Sequence, residues 1–520
     1  MKRILDTVHG SIFVDQRYID NFIDTPLFQR LRRIEQSSIR SIFPSARHDR
    51  FAHSLGVFHI GLLIERHISS ERKKIDKDKP NADKFFHLSP SSIKEAERLY
   101  KEITYSYRIA CLLHDIAHAP FSHTFEKYYG TKKELAELLK GCKGFSDAFC
   151  KELDSHIEDV NYHEYASAYV AATTYENPIG EMKASVELVV RMIIGVQYSD
   201  HTKRYNQIAN GYISLIHGDV IDADRLDYAC RDVWASGYAT SRIDVLRLAS
   251  GIHFAWIGKQ YQICYDANVL NEIESVINVK DFQMNNVIHH HTVEYEQDLL
   301  KHAAEHMAKS YYPQATSDTA ALKNIITLPA VTGTIELPSS GIQITNITDD
   351  DLIFLIKKDV SYDDYIEWSS RQYKKFALWK TRNEFYIHFG DLLDRENHVP
   401  LSRLKPIVLQ IITARGYKEE DLRIVEMEFG DKIRLDDVWV KIGNKHIKYN
   451  ELFHKSKESN NSAKHNKIKF CYVYLTKGIN DVKYRSKEFY ELKDSIIDEI
   501  HDALSNQIEI FKASLEDDNK

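Results

Sequence analysis

A mainly α-helical fold with a smaller α+β region toward the carboxy-terminal end is the class that this 520-residue sequence predicts. Two observations carry it. Through most of the first 310 residues apolar side chains recur at helical spacing with few breakers, whereas beyond about residue 400 short apolar runs of strand character replace them. The length exceeds one ordinary core, so a large domain and a smaller one are expected. The pattern places the main core over residues 1–325, a boundary excursion and helical extension over 326–400, and the α+β region over 401–520.

Taken in order, ILDTVHGSIFV alternates polar and apolar around His9-Gly10 and predicts a hairpin within residues 1–15. From Asp20 the spacing turns helical, with Ile23, Leu27, Leu31 and Ile34 on one face and Thr25-Pro26 as a helix start. RHDRFAHSLGVFHIG, residues 47–61, brings His53 to the start of another apolar helix, and the charged run ERKKIDKDKPNAD, residues 71–83, predicts a solvated loop. Residues 92–140 are helical again and contain RIACLLHDIAHAPFSH, in which an apolar run ending at Leu113 delivers His114 and Asp115 side by side. His118 follows one turn on, and His123 lies just beyond Pro120.

A loop and short helix over 141–162 precede helices over 164–172 and 181–196. HGDVIDADRLDYACRD, residues 217–232, sets Asp224 among apolar neighbours with Asp227 and Tyr228 behind it. Amphipathic helices between about 243 and 310 are interrupted by a strand pair at HFAWIGKQYQICY. LPAVTGTIELPSSGIQITNIT, rich in Pro, Gly, Ser and Thr, marks the boundary excursion, and helices resume over 349–376. RIVEMEFG, VWVKIG and KFCYVYLT then read as strands of the α+β region, followed by a helix over 487–511, with KSKESNNSAKHNK, residues 455–467, as a disordered loop.

Composition narrows the class. A formal charge of −7 argues against a protein that coats nucleic acid non-specifically, so nucleic acid is a partner not favoured here. The six cysteines form no CxxC pair and read as free thiols of a reducing compartment. The amino-terminal residues lack the apolar stretch of a signal peptide, and no run approaches the roughly 18 apolar residues of a membrane span. A cytoplasmic protein without a membrane partner is the expectation.

An adjacent imidazole and carboxylate can bind one divalent cation together, so His114 and Asp115 need only further donors from elsewhere. His53 and Asp224 are the natural ones, giving two imidazoles and two carboxylates suited to Mn, Fe, Zn, Co or Ni, with Mg also admitted. The ordered pattern H…HD…D resembles the HD-domain metal-dependent phosphohydrolases. DTVHGSI, IDTPLFQRLRRIEQ, the R-F-x-H-S-L-G-V block, LLHDIAHAPFSH, Tyr162-His163-Glu164 and DADRLDYACRD together resemble the dNTP triphosphohydrolase branch, in order over roughly residues 4–300.

That resemblance implies an HD-domain helical core and hydrolysis of a dNTP to deoxynucleoside and triphosphate by water attack at the α-phosphorus. It places His123, Glu126 and His163 where proton carriers stand, with His118 facing the phosphates; Glu126 replaces the Asp of close relatives. Arg50, Arg225 and Tyr228 match phosphate-contacting positions, Asp232 a carboxylate at the sugar 3′-hydroxyl, and Gln36 a residue near sugar and base. Ser37 departs from an apolar residue near the deoxyribose, and in NNVIHHHTVEYEQ the triplet His289, His290 and His291 stands where a phosphate-contacting Arg and a sugar-stacking Tyr belong. Asp24 and Arg32 match positions that recognise guanine at a subunit interface in allosteric relatives, which implies an activator nucleotide and a homo-oligomer, whether dimer, tetramer or hexamer. Depletion of the dNTP pool would suit antiphage defence. Two other classes stay open: an HD-domain nuclease or phosphodiesterase acting on nucleic acid or cyclic or modified nucleotides, and a nucleotide-sensing binding module.

Overall fold

The first turn is closed by a side chain. Asp6 accepts from the backbone N–H groups of Val8 and His9 at 2.9 and 2.7 Å, which folds Lys2–Asp6 back antiparallel on Gly10–Val14. The hairpin expected around His9-Gly10 therefore forms, with Gly10 at φ +73°, a left-handed conformation that glycine adopts freely. The computed structural model describes residues 1–77, 93–218, 220–238, 242–338, 340–358, 361–390, 392, 404–429, 435, 438–452, 468–477 and 482–517. The chain forms two compact units, Met1–Gln283 with Ala304–Asp359 and Ile433–Ser459, and Met284–Ala303 with Val360–Lys432 and Asn460–Lys520. Each unit is drawn from three stretches of the chain.

The first unit is mainly helical, as expected. Ile23, Leu27, Leu31 and Ile34 are all buried, but on a π turn Ile19–Ile23, a short helix Pro26–Arg30 capped by Thr25, and a 3-10 turn Leu31–Arg33 rather than on one helix. The helix Arg50–Lys77 runs on through the charged residues 71–77, which corrects the loop expected there. Arg72 explains the extension: its guanidinium pairs with Glu97 at 2.7 Å and lies over the Tyr100 ring, both on the neighbouring helix Ile93–Leu113. Residues 78–83 of that expected loop lie outside the described residues.

The helix expected over 181–196 is likewise two, Glu176–Glu181 and Val186–Ile194. Lys183 adopts φ 60° between them, and the Ser185 hydroxyl caps the second helix by accepting from Leu188 N at 3.2 Å. Tyr162–Thr173, Arg204–Ser214 and Ala223–Ser236 complete the helices around the site.

The strand pair Ile252–Ile257 and Gln260–Asp266 forms where alternation placed it. VWVKIG, expected in the carboxy-terminal α+β region, instead supplies Trp439–Ile442, which adds in parallel to Gln260–Asp266 and is followed by Lys445–Lys448 at the edge. The Pro/Gly/Ser/Thr-rich stretch is not a linker either. Thr327 caps a turn of helix Leu328–Thr332, Thr334–Glu336 pairs with Gln343–Thr345, and Val331, Leu337 and Ile347 are fully buried.

In the second unit Ile468–Thr476 is the centre of a three-stranded antiparallel sheet, flanked by Leu422–Phe429 and by Lys375–Ala377, a strand the sequence did not suggest. The helices Leu404–Ala414 and Lys487–Asp517 pack together beside it. Trp379 is fully buried in this core and donates from Nε1 to Cys471 O at 2.7 Å. Residues 455–467 lie outside the described residues. Among the described residues no helix is long and apolar enough to cross a membrane.

Asp349 is buried and accepts from Glu35 N at 2.8 Å and Phe121 N at 2.6 Å. Asp349→Ala orphans both donors, and each unsatisfied N–H costs about 1–3 kcal/mol. Chemical denaturation of the full chain is expected to show a loss of that size.

Candidate active site

The helix Ile93–Leu113 stops one residue before His114, and the turns that follow it stay inside the protein: His114, Asp115 and His118 are all buried. His53 reaches them from the first turn of Arg50–Lys77, and Asp224 from the first turn of Ala223–Ser236. His53 Nε2 lies 3.3 Å from His114 Nε2 and 2.9 Å from Asp224 Oδ1. Asp115 Oδ2 is 3.5 Å from Nε2 of both histidines, and His114 Nε2 is 3.6 Å from Asp224 Oδ1. Donor atoms of His53, His114 and Asp115 thus lie within 4.8 Å of one another, and Asp224 Oδ1 reaches both imidazoles.

Each imidazole offers Nε2 because its other nitrogen is engaged. His53 Nδ1–H donates to Asp227 Oδ2 at 2.7 Å, and His114 Nδ1–H donates to Cys111 O at 3.1 Å. Such partners fix the tautomer and orient the ring toward a cation. Burial alone would lower the His53 pKa, but Asp224 and Asp227 raise it to about 10. The carboxylates demand positive charge here, and a divalent cation satisfies that demand in place of a proton. Two imidazoles and two carboxylates therefore fit a first-row divalent metal.

Asp227 was visible in the sequence but had no role there. It is fully buried, and besides His53 it accepts from His9 Nε2 at 2.6 Å and from Arg231 Nε and Nη2 at 2.8 and 3.0 Å. Arg231 also donates to Asp6 at 3.0 Å, so the amino-terminal hairpin braces the site. Gly56 makes room for this group: a Cβ there would overlap the Asp227 carboxylate and crowd Arg231. The Asp227–Arg231 spacing of one helical turn was the available signal.

His118, His123, Glu126 and His163 form a second cluster. Glu126 Oε2 accepts from His163 Nδ1 at 2.7 Å and lies 3.3 Å from His123 Nδ1. His118 stacks on His163 with ring centroids 4.2 Å apart and planes 14° from parallel. Burial would lower the His163 pKa, but Glu126 raises it to about 9; burial, Arg50 and the neighbouring imidazoles instead drive His118 well below the usual histidine range. Phe121 and Ser122 hold left-handed φ of 54° and 52°, a strained turn that presents His123. Ser122 is pinned between Arg50 Nε, which donates to it at 3.0 Å, and the Glu35 carbonyl, to which its hydroxyl donates.

Arg50 is buried and donates to Asp115 Oδ2 at 2.6 Å and to the Gln36 carbonyl at 3.0 Å. Gln36 Oε1 is buried without a hydrogen-bond partner. Arg225 donates to Gly218 O at 2.9 Å and pairs with Asp222 at 3.1 Å, with the Tyr228 hydroxyl in reach. Lys280, which the sequence did not single out, faces the same group; burial and Arg225 lower its pKa to about 8. Asp232 accepts from His48 at 2.7 Å.

Asp24 and Arg32 are not joined to each other by the contacts they make. Asp24 pairs with Lys2 at 3.1 Å, while Arg32 lies over the Phe51 ring at 3.5 Å and donates to Gln29. His289, His290 and His291 fall in the second unit, where the His289 and His291 carbonyls accept from Tyr472 and Tyr474 at 2.9 and 2.7 Å.

Residues 50–229 match the family model of the HD domain, a span that takes in all four converging donors. A deoxynucleoside triphosphate triphosphohydrolase SAMHD1 homolog from Dictyostelium discoideum is 31% identical over 46% of this chain and 37% of its own length. The uncharacterized protein YwfO from Bacillus subtilis is 27% identical over 59% of this chain and 56% of its own. The chain spans about half the length, or less, of the first such curated relatives. A solved structure of a hypothetical protein from Aquifex aeolicus shares the fold, with a TM-score of 0.53 and 20% identity over 96% of this chain and 99% of that one.

Asp227→Asn removes the charge that orients His53, and changes of this kind weaken metal affinity about 10–100-fold. Competition with a chelator is expected to show that loss. Gly56→Ala, which pushes the same carboxylate aside, is expected to do the same with His53 itself intact.

Proposed function

From an HD domain whose four donors converge beside a histidine–glutamate cluster, we propose a metal-dependent phosphohydrolase that cleaves deoxynucleoside triphosphates to deoxynucleoside and triphosphate. The observation that carries this reading is Asp115, which faces His53 and His114 through Oδ2 and stands 3.5 Å from His118 Nε2 through Oδ1. The cation donors and the histidine stacked on His163 thus meet at one carboxylate. The SAMHD1-named relatives support the dNTP as substrate.

A divalent cation held by His53, His114, Asp115 and Asp224 supplies Lewis-acid polarisation of phosphate and acidifies water. The protein's own groups do the rest. Arg225, Tyr228 and Lys280 gather the phosphate charge, with guanidinium geometry suited to two oxygens at once. Asp232, oriented by His48, accepts from the sugar 3′-hydroxyl, and Gln36 Oε1 supplies an acceptor nearby. Water adds at the α-phosphorus as the bond to the 5′-oxygen breaks. His163, its Nδ1–H held by Glu126, gives its Nε2 proton to that departing oxygen and recovers one from the attacking water.

Phosphate-product analysis of the purified chain with Mn²⁺, on each dNTP alone and in mixtures, tests the proposal. Tripolyphosphate from wild type and not from Asp115→Ala is expected; no tripolyphosphate from any dNTP, with cleavage of an oligonucleotide or cyclic nucleotide offered in parallel, would assign the site to a nuclease or phosphodiesterase. Turnover only in mixtures would identify an activator nucleotide. His163→Ala is expected to lower kcat about 10²–10⁴-fold.

The pH profile follows from the same geometry. His163 is raised to about 9, so it is protonated at neutral pH and activity falls as pH rises through that value. Glu126→Gln removes the raising charge and moves the falling limb toward about 6.5, the ordinary histidine value. An unchanged limb in Glu126→Gln would take His163 out of the proton-donor role.

A further inference from the structure

The four-stranded sheet of the first unit carries another donor set. His253 on Ile252–Ile257 and Cys264 on Gln260–Asp266 are directly opposed in the antiparallel register, so their side chains share a face. His446 on Lys445–Lys448 is opposed to Lys441, and Lys441 is paired in register with Asp266, two residues from Cys264 on the same face. One nitrogen of each histidine and the Cys264 sulfur all lie within 4.8 Å of one another. Cys264 is fully buried, His446 is half-buried, and His253 Nε2 is buried without a hydrogen-bond partner. His253 Nδ1 is 3.9 Å from Asp266 Oδ1.

We propose that His253, Cys264 and His446, with Asp266 as fourth donor, form a structural zinc-class metal site separate from the HD centre. One thiolate with two imidazoles is softer than the two-imidazole, two-carboxylate set at His53 and selects zinc over the harder manganese or magnesium. A tetrahedral ion with ordinary Zn–S and Zn–N lengths holds its donors about 3.5 Å apart. From separations of up to 4.8 Å the donor pairs therefore close by up to about 1.3 Å, within reach of rotation about χ1 and χ2. On binding, the Cys264 thiol loses its proton to solvent and its sulfur takes up the metal. The site ties Lys445–Lys448 to strands nearly two hundred positions earlier in the chain, so its role is to fasten residues 439–448 onto the sheet. The lone-thiol reading of Cys264 is then replaced by a ligand drawn from three strands, a pattern without any CxxC signature.

Cobalt is the probe, because thiolate-to-cobalt charge transfer reports sulfur ligation and the HD centre has no sulfur. The full-length chain, dialysed against chelator and titrated with Co²⁺, is expected to show that absorption in wild type and in Asp115→Ala, and to lose it on addition of Zn²⁺. Cys264→Ser is expected to lack the absorption while its product formation is retained. His446→Gln, at a half-buried position that leaves the core intact, is expected to retain one fewer equivalent of zinc after dialysis. Absence of the absorption in folded wild type, its persistence in Cys264→Ser, or an undiminished zinc content in folded His446→Gln would each overturn the proposal.

Discussion

A single buried carboxylate, Asp227, sets the geometry on which the site depends. It receives His53, His9 and Arg231 at once while fully removed from solvent. A buried charge without partners is strongly destabilising, and breaking such a pair by deleting one member costs about 3–5 kcal/mol. The network is therefore kept whole or not at all. Its economy lies in the helix Ala223–Ser236: Asp224 and Asp227 are three residues apart, so one turn delivers a donor to the cation and the group that aims a second donor, His53, at the same point. Arg231, one turn further, supplies the compensating charge and carries the coupling on to Asp6 and the amino-terminal hairpin.

The second cluster shows how position alone assigns opposite tasks to identical side chains. His163 and His118 are stacked rings in one pocket, yet Glu126 holds the first protonated while burial and cationic neighbours keep the second neutral. The neutral ring lies against His163 on one side and stands 3.5 Å from Asp115 Oδ1 through its Nε2. Arg50, bound to Asp115 and to Ser122, joins the two clusters through fixed charge.

His53, His114, Asp115 and Asp224 stood out because each sits in a dense local signal: an imidazole beside a carboxylate at a helix end, a histidine opening an apolar helix, an acid among apolar neighbours. The hairpin, the helix of residues 162–173 and the strand pair near 252–266 were legible by period alone. What escaped is non-local. Period 2 identified Trp439–Ile442 as a strand but contains nothing that says which sheet it joins, and it joins the one begun at Ile252. Lys280 has no motif around it and acquires meaning only from its proximity to Arg225.

The stretch rich in Pro, Gly, Ser and Thr makes the same point with the opposite error. Those residues signal broken secondary structure, and broken secondary structure at a surface is ordinarily a connection. Here Asp349 follows the hairpin and binds the backbone N–H groups of Glu35 and Phe121, while Arg30 spans the carbonyls of Ile347 and His118 at 2.6 and 2.8 Å. Both contacts end on the turn that carries His118 and His123, and that turn includes two non-glycine residues in left-handed conformations. Strained turns persist only where their surroundings over-determine them. The first residue of the helix Asp349–Ile356 and the last of Pro26–Arg30 fix that turn through the Phe121 N–H and the His118 carbonyl. The stretch itself contributes the Ile347 carbonyl that holds Arg30, and it ends at Thr348, the cap of the helix that carries Asp349.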